Sequence, residues 1–315
     1  MSEMFLVTGG AGFIGSHLVA ALLAEGHRVR VIDDLSTGKR ENLPEAVEFL
    51  EGSITDAALM HAAAAGIAGC FHLAAIASVE RGIEAWLATH AVNLGGLITV
   101  FEALRSRPVP VVYASSAAVY GDSAELPITE RAAKHPLSAY GADKLGCEQH
   151  ALVAHHVHGI PTLGLRFFNV YGPRQDPRSP YSGVISIFCE RLRAGEPVAI
   201  FGDGAQTRDF VFVADVVAAL RAAMSGIKSG DVWPAAVFNV CTGRATSVCE
   251  LAETIAGLCG RRADIRFAPA RKGEIRHSLG APEAARAALG LGEPTPLRQG
   301  LAATLNWLET TPLKP

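Results

Sequence analysis

Tyr140 and Lys144 stand four residues apart in Ala139-Tyr140-Gly141-Ala142-Asp143-Lys144, within a stretch of helical period. On a helix these positions share one face, which sets an ammonium beside a phenol. That neighbour favours phenolate, and a phenolate can act as general base toward a hydroxyl. Spacing alone favours a surface Tyr and a surface Lys, because such pairs are common on helices. The run Val111-Val112-Tyr113-Ala114-Ser115-Ser116 shifts the balance. It ends in hydroxyls at the carboxyl end of an expected parallel strand, where open sheets bind ligands.

A second cluster lies at the start of the chain. Phe5-Leu6-Val7-Thr8-Gly9-Gly10-Ala11-Gly12-Phe13-Ile14-Gly15 places glycines between an expected strand and an expected helix. A pyrophosphate must approach backbone N–H groups at a helix N-terminus, and side chains at Gly9 or Gly12 would block it. Gly15 permits tight packing of the helix on the sheet. The next strand ends at Asp33, about 20 residues on, where a carboxylate accepts the adenosine ribose hydroxyls and repels a 2′-phosphate. The expected cofactor is therefore NAD. Lys39 and Arg40 are read as solvated loop charges.

These residues need a scaffold, and the pattern supplies one. Continuous apolar runs at Phe5–Thr8, Val29–Asp33, Val47–Leu50, Cys70–Ala74, Val109–Ser115 and Leu163–Asn169 mark strands covered on both faces. Helical segments lie between them, among them Phe13–Glu25, Ala85–Arg105 and Ala139–His156. Strand and helix in alternation specify an α/β fold, a Rossmann doubly wound parallel sheet, over residues 1–170. Pro173, Pro177 and Pro180 then break the pattern. Residues 171–315 are expected to form a smaller α/β substrate domain, with later segments (about 210–240, including Phe210–Met224 and Val237–Val240) returning to the first.

Composition sets the outer bounds. The 315 residues are 49% hydrophobic and 19% charged, which excludes a disordered or coiled-coil chain. A formal net charge of −3 leaves no basic face for nucleic acid or anionic lipid. The uncharged stretch Ala57–Val79 contains His61, Gly66, Gly69 and His72, so it reads as a helix and a buried strand, not a membrane span. Six scattered cysteines without a Cys-x-x-Cys pair suit a reducing cytosol, and the acidic start MSEMFLVTGG does not resemble a signal peptide. His150, His155, His156 and His158 have no carboxylate or Cys at metal-site spacing, so no metal is expected.

The motifs together resemble the extended short-chain dehydrogenase/reductases, in their nucleotide-sugar epimerase branch. The residues carrying the resemblance are Thr8 to Gly15, Ser115-Ser116 with Val119-Tyr120-Gly121, Tyr140-x-x-x-Lys144, Arg166-Phe167-Phe168-Asn169-Val170-Tyr171-Gly172-Pro173, Gly202-Asp203-Gly204 through Arg208-Asp209-Phe210, and Arg271-Lys272-Gly273-Glu274. In such enzymes NAD stays bound and takes a hydride from the sugar C4 while a base takes the O4 proton; the 4-keto sugar turns over and is reduced on its other face. The resemblance implies Tyr140 as base, Lys144 orienting the nicotinamide ribose, and Ser116 hydrogen-bonding the reacting oxygen. It implies cofactor roles for Gly9, Gly12, Phe13, Ile14, Gly15, Asp33 and Asn93. Asn169, Arg208, Arg271, Glu274 and Ser278 are implied on the substrate, the arginines as forked donors to phosphate. It also implies a homodimer through the Ala85–Arg105 helix and the helix of Tyr140.

Similar dehydratases place Asp-Glu after the serine or threonine, and similar decarboxylases usually keep that Glu. Here the positions are Ala117 and Ala118, whose methyl groups move no proton. The expected reaction is thus UDP-glucose/UDP-galactose 4-epimerisation. UDP-N-acetylglucosamine is the alternative, because small Ser278 stands where hexose-restricted members carry Tyr. Uronate is disfavoured by Asn169 and by like-charge repulsion from Asp176. Ser53 replaces an Asp that usually contacts adenine. A net nucleotide-sugar oxidoreductase and a non-enzymatic NAD-binding regulator are the remaining readings.

Overall fold

Apolar runs bounded by glycine and turn residues become strands here because helices cover both sheet faces. The computed structural model describes residues 2–177, 183–270 and 275–310. Its first half runs β1 (Met4–Thr8), α1 (Phe13–Ala24), β2 (Arg28–Asp33), β3 (Glu48–Glu51), α2 (Ala57–Ala63), β4 (Gly69–His72), α3 (Val79–Glu84), α4 (Trp86–His90), α5 (Gly96–Leu104), β5 (Val111–Ser116), α6 (Ala139–His158) and β6 (Thr162–Phe167). A π-helical turn over Ala91–Gly95 joins α4 to α5, so the expected single helix is continuous from Trp86. Trp86–Leu104 is long and apolar enough to cross a membrane by length and composition, yet Leu97, Val100, Phe101 and Leu104 are buried in the core.

The second half runs β7 (Asn169–Tyr171), α7 (Val184–Ala194), β8 (Val198–Phe201), β9 (Thr207–Phe212), α8 (Val213–Ser229), β10 (Ala236–Val240), β11 (Ala245–Ser247), α9 (Val248–Leu258), β12 (Ile265–Ala268), β13 (His277–Ser278), α10 (Glu283–Leu289) and α11 (Leu297–Thr310). Seven parallel strands form the main sheet in the order β10-β6-β5-β4-β1-β2-β3. One face packs Leu18, Val19 and Leu22 of α1 with Val216, Leu220 and Met224 of α8. The other carries Met60, Leu97, Val100 and Cys147 from α2, α5 and α6. A separate core of Tyr171, Phe188, Ile200, Leu251, Ile255 and Leu305 holds the smaller lobe.

Two runs divide where the sequence shows no break. Leu163–Asn169 reads as one strand, but β6 ends at Phe167 and Asn169 opens β7, which leaves the main sheet to pair with β9. Phe210–Met224 divides likewise: Phe210–Phe212 belong to β9 of the smaller sheet, and only α8 lies on α1. Apolar residues predominate on both sides of each break, so periodicity carries no mark of the change of sheet.

Candidate active site

The sheet order reverses between β1 and β4, whose carboxyl ends therefore diverge and open a crevice. A cavity of about 550 Å³ lies there. Gly9, Gly12, Phe13, Ile14, Gly15 and Asp33 line it at one end, and Ser116, Tyr140 and Lys144 at the other. The sequence thus brought together its cofactor loop and its proposed chemistry in one chamber.

The dinucleotide end follows from local packing. Gly12 caps α1 without any side-chain hydrogen bond, so the first-turn N–H groups stay open to an anion. A Cβ on Gly15 would collide with the Gly9 carbonyl oxygen and come within 2.8 Å of the Gly10 Cα. Those are backbone atoms and cannot swing aside. Gly15→Ala is therefore expected to cost about 1–3 kcal/mol of stability, through overpacking, and to loosen bound dinucleotide; thermal melting with and without NAD measures both.

Asp33 ends β2 almost fully buried. Its Oδ2 accepts the N–H of Ala11 at 2.9 Å and its Oδ1 that of Leu35 at 2.9 Å. Burial pushes its carboxyl above the usual range, and these N–H groups oppose the rise. Each oxygen keeps a lone pair for a ribose hydroxyl. With Asp34 beside it in the cavity lining, a 2′-phosphate would meet two carboxylates, so the residues present fit NAD. Ser53 also lines the cavity, its hydroxyl paired with that of Thr55 at 2.8 Å.

Asn93 does not line the cavity. It is fully buried in the π-helical turn, where its side chain accepts the N–H of Ile76 at 2.8 Å and donates to the Ile76 carbonyl at 3.2 Å. Both amide functions are spent on the Leu73–Ala77 segment that walls the cofactor side, so Asn93 acts on the site through that backbone.

The reacting end is assembled by β5 and α6. Ser116 ends β5, and its Oγ accepts the Ala118 N–H at 3.1 Å, leaving the hydroxyl proton free to donate. Ser138 caps α6, its Oγ accepting the Gly141 N–H at 3.1 Å. Gly141 is needed for approach: a Cβ there would meet the Ala118 carbonyl oxygen at 2.6 Å. This contact seats the first turn of α6, with Tyr140, against the turn that follows Ser116. Lys144 is buried, donates to the Ala114 carbonyl at 2.9 Å and lies 5.8 Å from the Tyr140 ring centroid. His155, His156 and His158 occupy the last turn of α6, beside its exposed carbonyls.

At the ends of β1 and β4, Thr8 Oγ1 accepts N–H groups from Leu73 and Ala74 and lies 2.9 Å from His72 Nδ1. Its own proton therefore goes to Nδ1, which puts the ring hydrogen on Nε2. Burial, aided by the charge of Lys144, lowers the His72 pKa to about 3. An unfolded histidine binds its proton near 6.5, so between there and pH 3 the unfolded state holds more protons and stability falls with falling pH. Wild type is expected to lose about 2 kcal/mol by pH 5 from this group alone. His72→Asn is expected to flatten that part of the stability–pH curve, read by denaturant unfolding from pH 8 to 4.

Of the expected substrate residues, Ser116 lines the cavity, whereas Asn169, Arg208 and Ser278 do not. Asn169 is exposed on β7; Arg208 and Ser278 face one another in register on β9 and β13. Arg208 is half-buried and donates to the Thr207 carbonyl at 2.9 Å. The next residue, Asp209, is buried and accepts from Thr242 and Gly243, which fixes this strand. Arg271 and Glu274 lie outside the described residues.

Two loop charges differ from expectation. Lys39 is not simply solvated: it donates to Asp176 at 2.8 Å, and Arg40 lies over Phe49, 5.0 Å from the ring centroid. The Lys39 charge meets that of Asp176, so the expected repulsion of a sugar carboxylate by Asp176 is weakened. Arg174, Gln175 and His72 also belong to this region and are not singled out as site residues in the sequence. His72 meets Thr8 from 64 residues away and the segment of Arg174 meets His17 from 156, so only the fold reveals these juxtapositions.

The NAD-dependent epimerase/dehydratase family model matches residues 5–241. A UDP-glucose 4-epimerase of Mycolicibacterium smegmatis is 40% identical over 310 residues, covering 96% of this chain and 97% of the relative. The crystal structure of a UDP-glucose 4-epimerase with UDP-glucose from Thermotoga maritima superposes with a TM-score of 0.92 at 37% identity, covering 98% of this chain and 99% of its own. A UDP-N-acetylglucosamine 4-epimerase from Methanobrevibacter ruminantium, in complex with UDP-N-acetylmuramic acid, gives 0.92 at 32% identity, with 98% and 99% covered.

Proposed function

This chain belongs to the NAD-dependent epimerase/dehydratase family, and within it we propose a 4-epimerase that interconverts UDP-glucose and UDP-galactose. The observation that carries this is the composition of the reacting end. Tyr140, Lys144 and Ser116 line it, and the turn after Ser116 offers only Ala117 and Ala118. Elimination of water or loss of a carboxylate needs a further proton-transfer group beside the serine, and two methyl groups leave oxidation and re-reduction at one carbon.

Bound NAD supplies a reversible hydride acceptor. The chain's residues do the rest. Tyr140 takes the O4 proton and later returns it, Ser116 donates to O4, and Lys144 holds a fixed positive charge beside the phenol while its hydrogen bond to Ala114 keeps it on β5. Asn169, Arg208, Arg271, Glu274 and Ser278 are assigned to the UDP-sugar by resemblance. The half-buried, small Ser278 and the similarity to a UDP-N-acetylglucosamine 4-epimerase support UDP-N-acetylglucosamine as a second substrate. We also assign the enzyme to the cytosol, on its six free cysteines, and to a homodimer. Trp86 and Leu87 of α4 and Val153 and Val157 of α6 expose apolar surface on the helices expected to pair.

Proton NMR of the anomeric region tests the reaction, with purified protein, UDP-galactose and no added cofactor. UDP-glucose is expected to appear. No conversion, even with NAD supplied, overturns the hexose assignment and moves the assay to UDP-N-acetylglucosamine, then UDP-glucuronate.

A further inference from the structure

We infer that Arg174 is a ligand of the dinucleotide pyrophosphate, held over the glycine loop by a strap of residues 173–176 that retains NAD as a resident group. The inference rests on NAD binding and not on which sugar reacts.

The argument begins with charge. The pyrophosphate is a dianion, whereas the N-terminus of α1 offers backbone N–H groups and roughly half a positive charge. Four basic side chains line the cavity: Lys39, Arg81, Lys144 and Arg174. Lys39 pairs with Asp176, Lys144 is committed to the Ala114 carbonyl, and Arg81 has a partner of its own. Arg174 differs. Its Nη1 is buried and has no hydrogen-bond partner. A buried guanidinium nitrogen without an acceptor is costly, and the site it lines is where an anion is due. Burial also lowers its affinity for a proton.

Two ties place the strap over the phosphate position. His17, in the second turn of α1, donates from Nε2 to the Pro173 carbonyl at 2.8 Å. On the far side, Lys39 from the loop after β2 bonds Asp176. Arg174 therefore sits between the helix end that receives the pyrophosphate and the loop that follows the ribose-binding Asp33. Its charge also bears on His17, where burial is the larger cause of a lowered pKa. Its backbone has φ of 66°, a conformation that L residues other than Asn and Asp seldom adopt and that is kept where surroundings impose it. A forked donor closing on phosphate oxygens explains why the chain holds it there.

The test reads NAD itself, with no sugar present. Holoenzyme is passed through gel filtration, and NAD per chain and the rate of NAD release to an enzymatic trap are measured for wild type, Arg174→Met and Arg174→Lys. The Met variant keeps volume and loses charge; it is expected to release NAD about 10-fold faster or more. The Lys variant keeps the charge without the fork and is expected to fall between wild type and the Met variant. Added salt is expected to speed release from wild type and to have little effect on the Met variant, because screening acts on the charge that variant lacks. Arg174→Gln repeats the measurement if the Met variant does not fold. A neutral variant that holds NAD as long as wild type, with the same salt dependence, overturns the inference; so does a Lys variant as leaky as the Met one, which would make shape the cause.

Discussion

Tyr140→Phe is expected to lower kcat by about 10²- to 10⁴-fold while leaving KM and bound NAD close to wild type. The substitution removes one oxygen. The ring remains, and so does the Lys144 ammonium near its face, the Ser138 cap of α6 and the approach of Gly141 to the Ala118 carbonyl. Without a phenol oxygen no other group lining the reacting end can take the O4 proton well. Ser116 is a poor base, Lys144 is committed to the Ala114 carbonyl, and Ala117 and Ala118 carry nothing. Because only the step that moves the proton is affected, kcat and kcat/KM are expected to fall together. Steady-state conversion of UDP-galactose, with NAD counted in the same samples, measures all three quantities. Turnover within tenfold of wild type would mean that the proton leaves by another route.

The parts of this design that a reader of the sequence can find are those encoded by neighbours in the chain. The glycine loop and Asp33 are set by one βαβ unit, and Tyr140 and Lys144 by one turn of one helix, so local pattern places them. Ser116 follows from the end of one strand. What stays hidden is whatever depends on two distant segments meeting. Lys39 looks like a loop charge until Asp176, far down the chain, is folded against it. Asn93 matches a cofactor position by resemblance, yet both its amide functions are given to Ile76. Asn169 continues an apolar run, and only the pairing of β7 with β9 shows that the chain has changed sheets.

The same distinction governs a pair that periodicity cannot reveal, Glu148 of α6 and Arg166 of β6. Both are buried, and they meet in a bidentate bond: Arg166 Nε donates to Glu148 Oε1 at 2.8 Å and Nη2 to Oε2 at 2.7 Å. Ser115 donates to the same Oε1 at 2.5 Å, while Arg166 Nη1 donates to the Tyr120 hydroxyl at 2.7 Å and the Glu130 carbonyl at 3.1 Å. The network therefore clamps α6, one turn beyond Lys144, to the strand carrying Ser115 and Ser116.

Glu148→Leu leaves the Arg166 charge buried without its counter-ion and the Ser115 hydroxyl without its acceptor. A loss of about 3–5 kcal/mol of stability is expected. Glu148→Leu combined with Arg166→Met removes both charges and is expected to regain at least half of that loss, since the larger penalty belongs to the stranded ion and not to the missing attraction. Denaturant unfolding of wild type, the Leu variant, Arg166→Met and the double variant closes the cycle. The double variant is nevertheless expected to remain slower in turnover than wild type, because α6 then lacks the clamp that sets Tyr140 beside Ser116. Equal loss in the single and double variants would show that the pair contributes through Ser115 and Tyr120, and that charge burial is not what makes Glu148 indispensable.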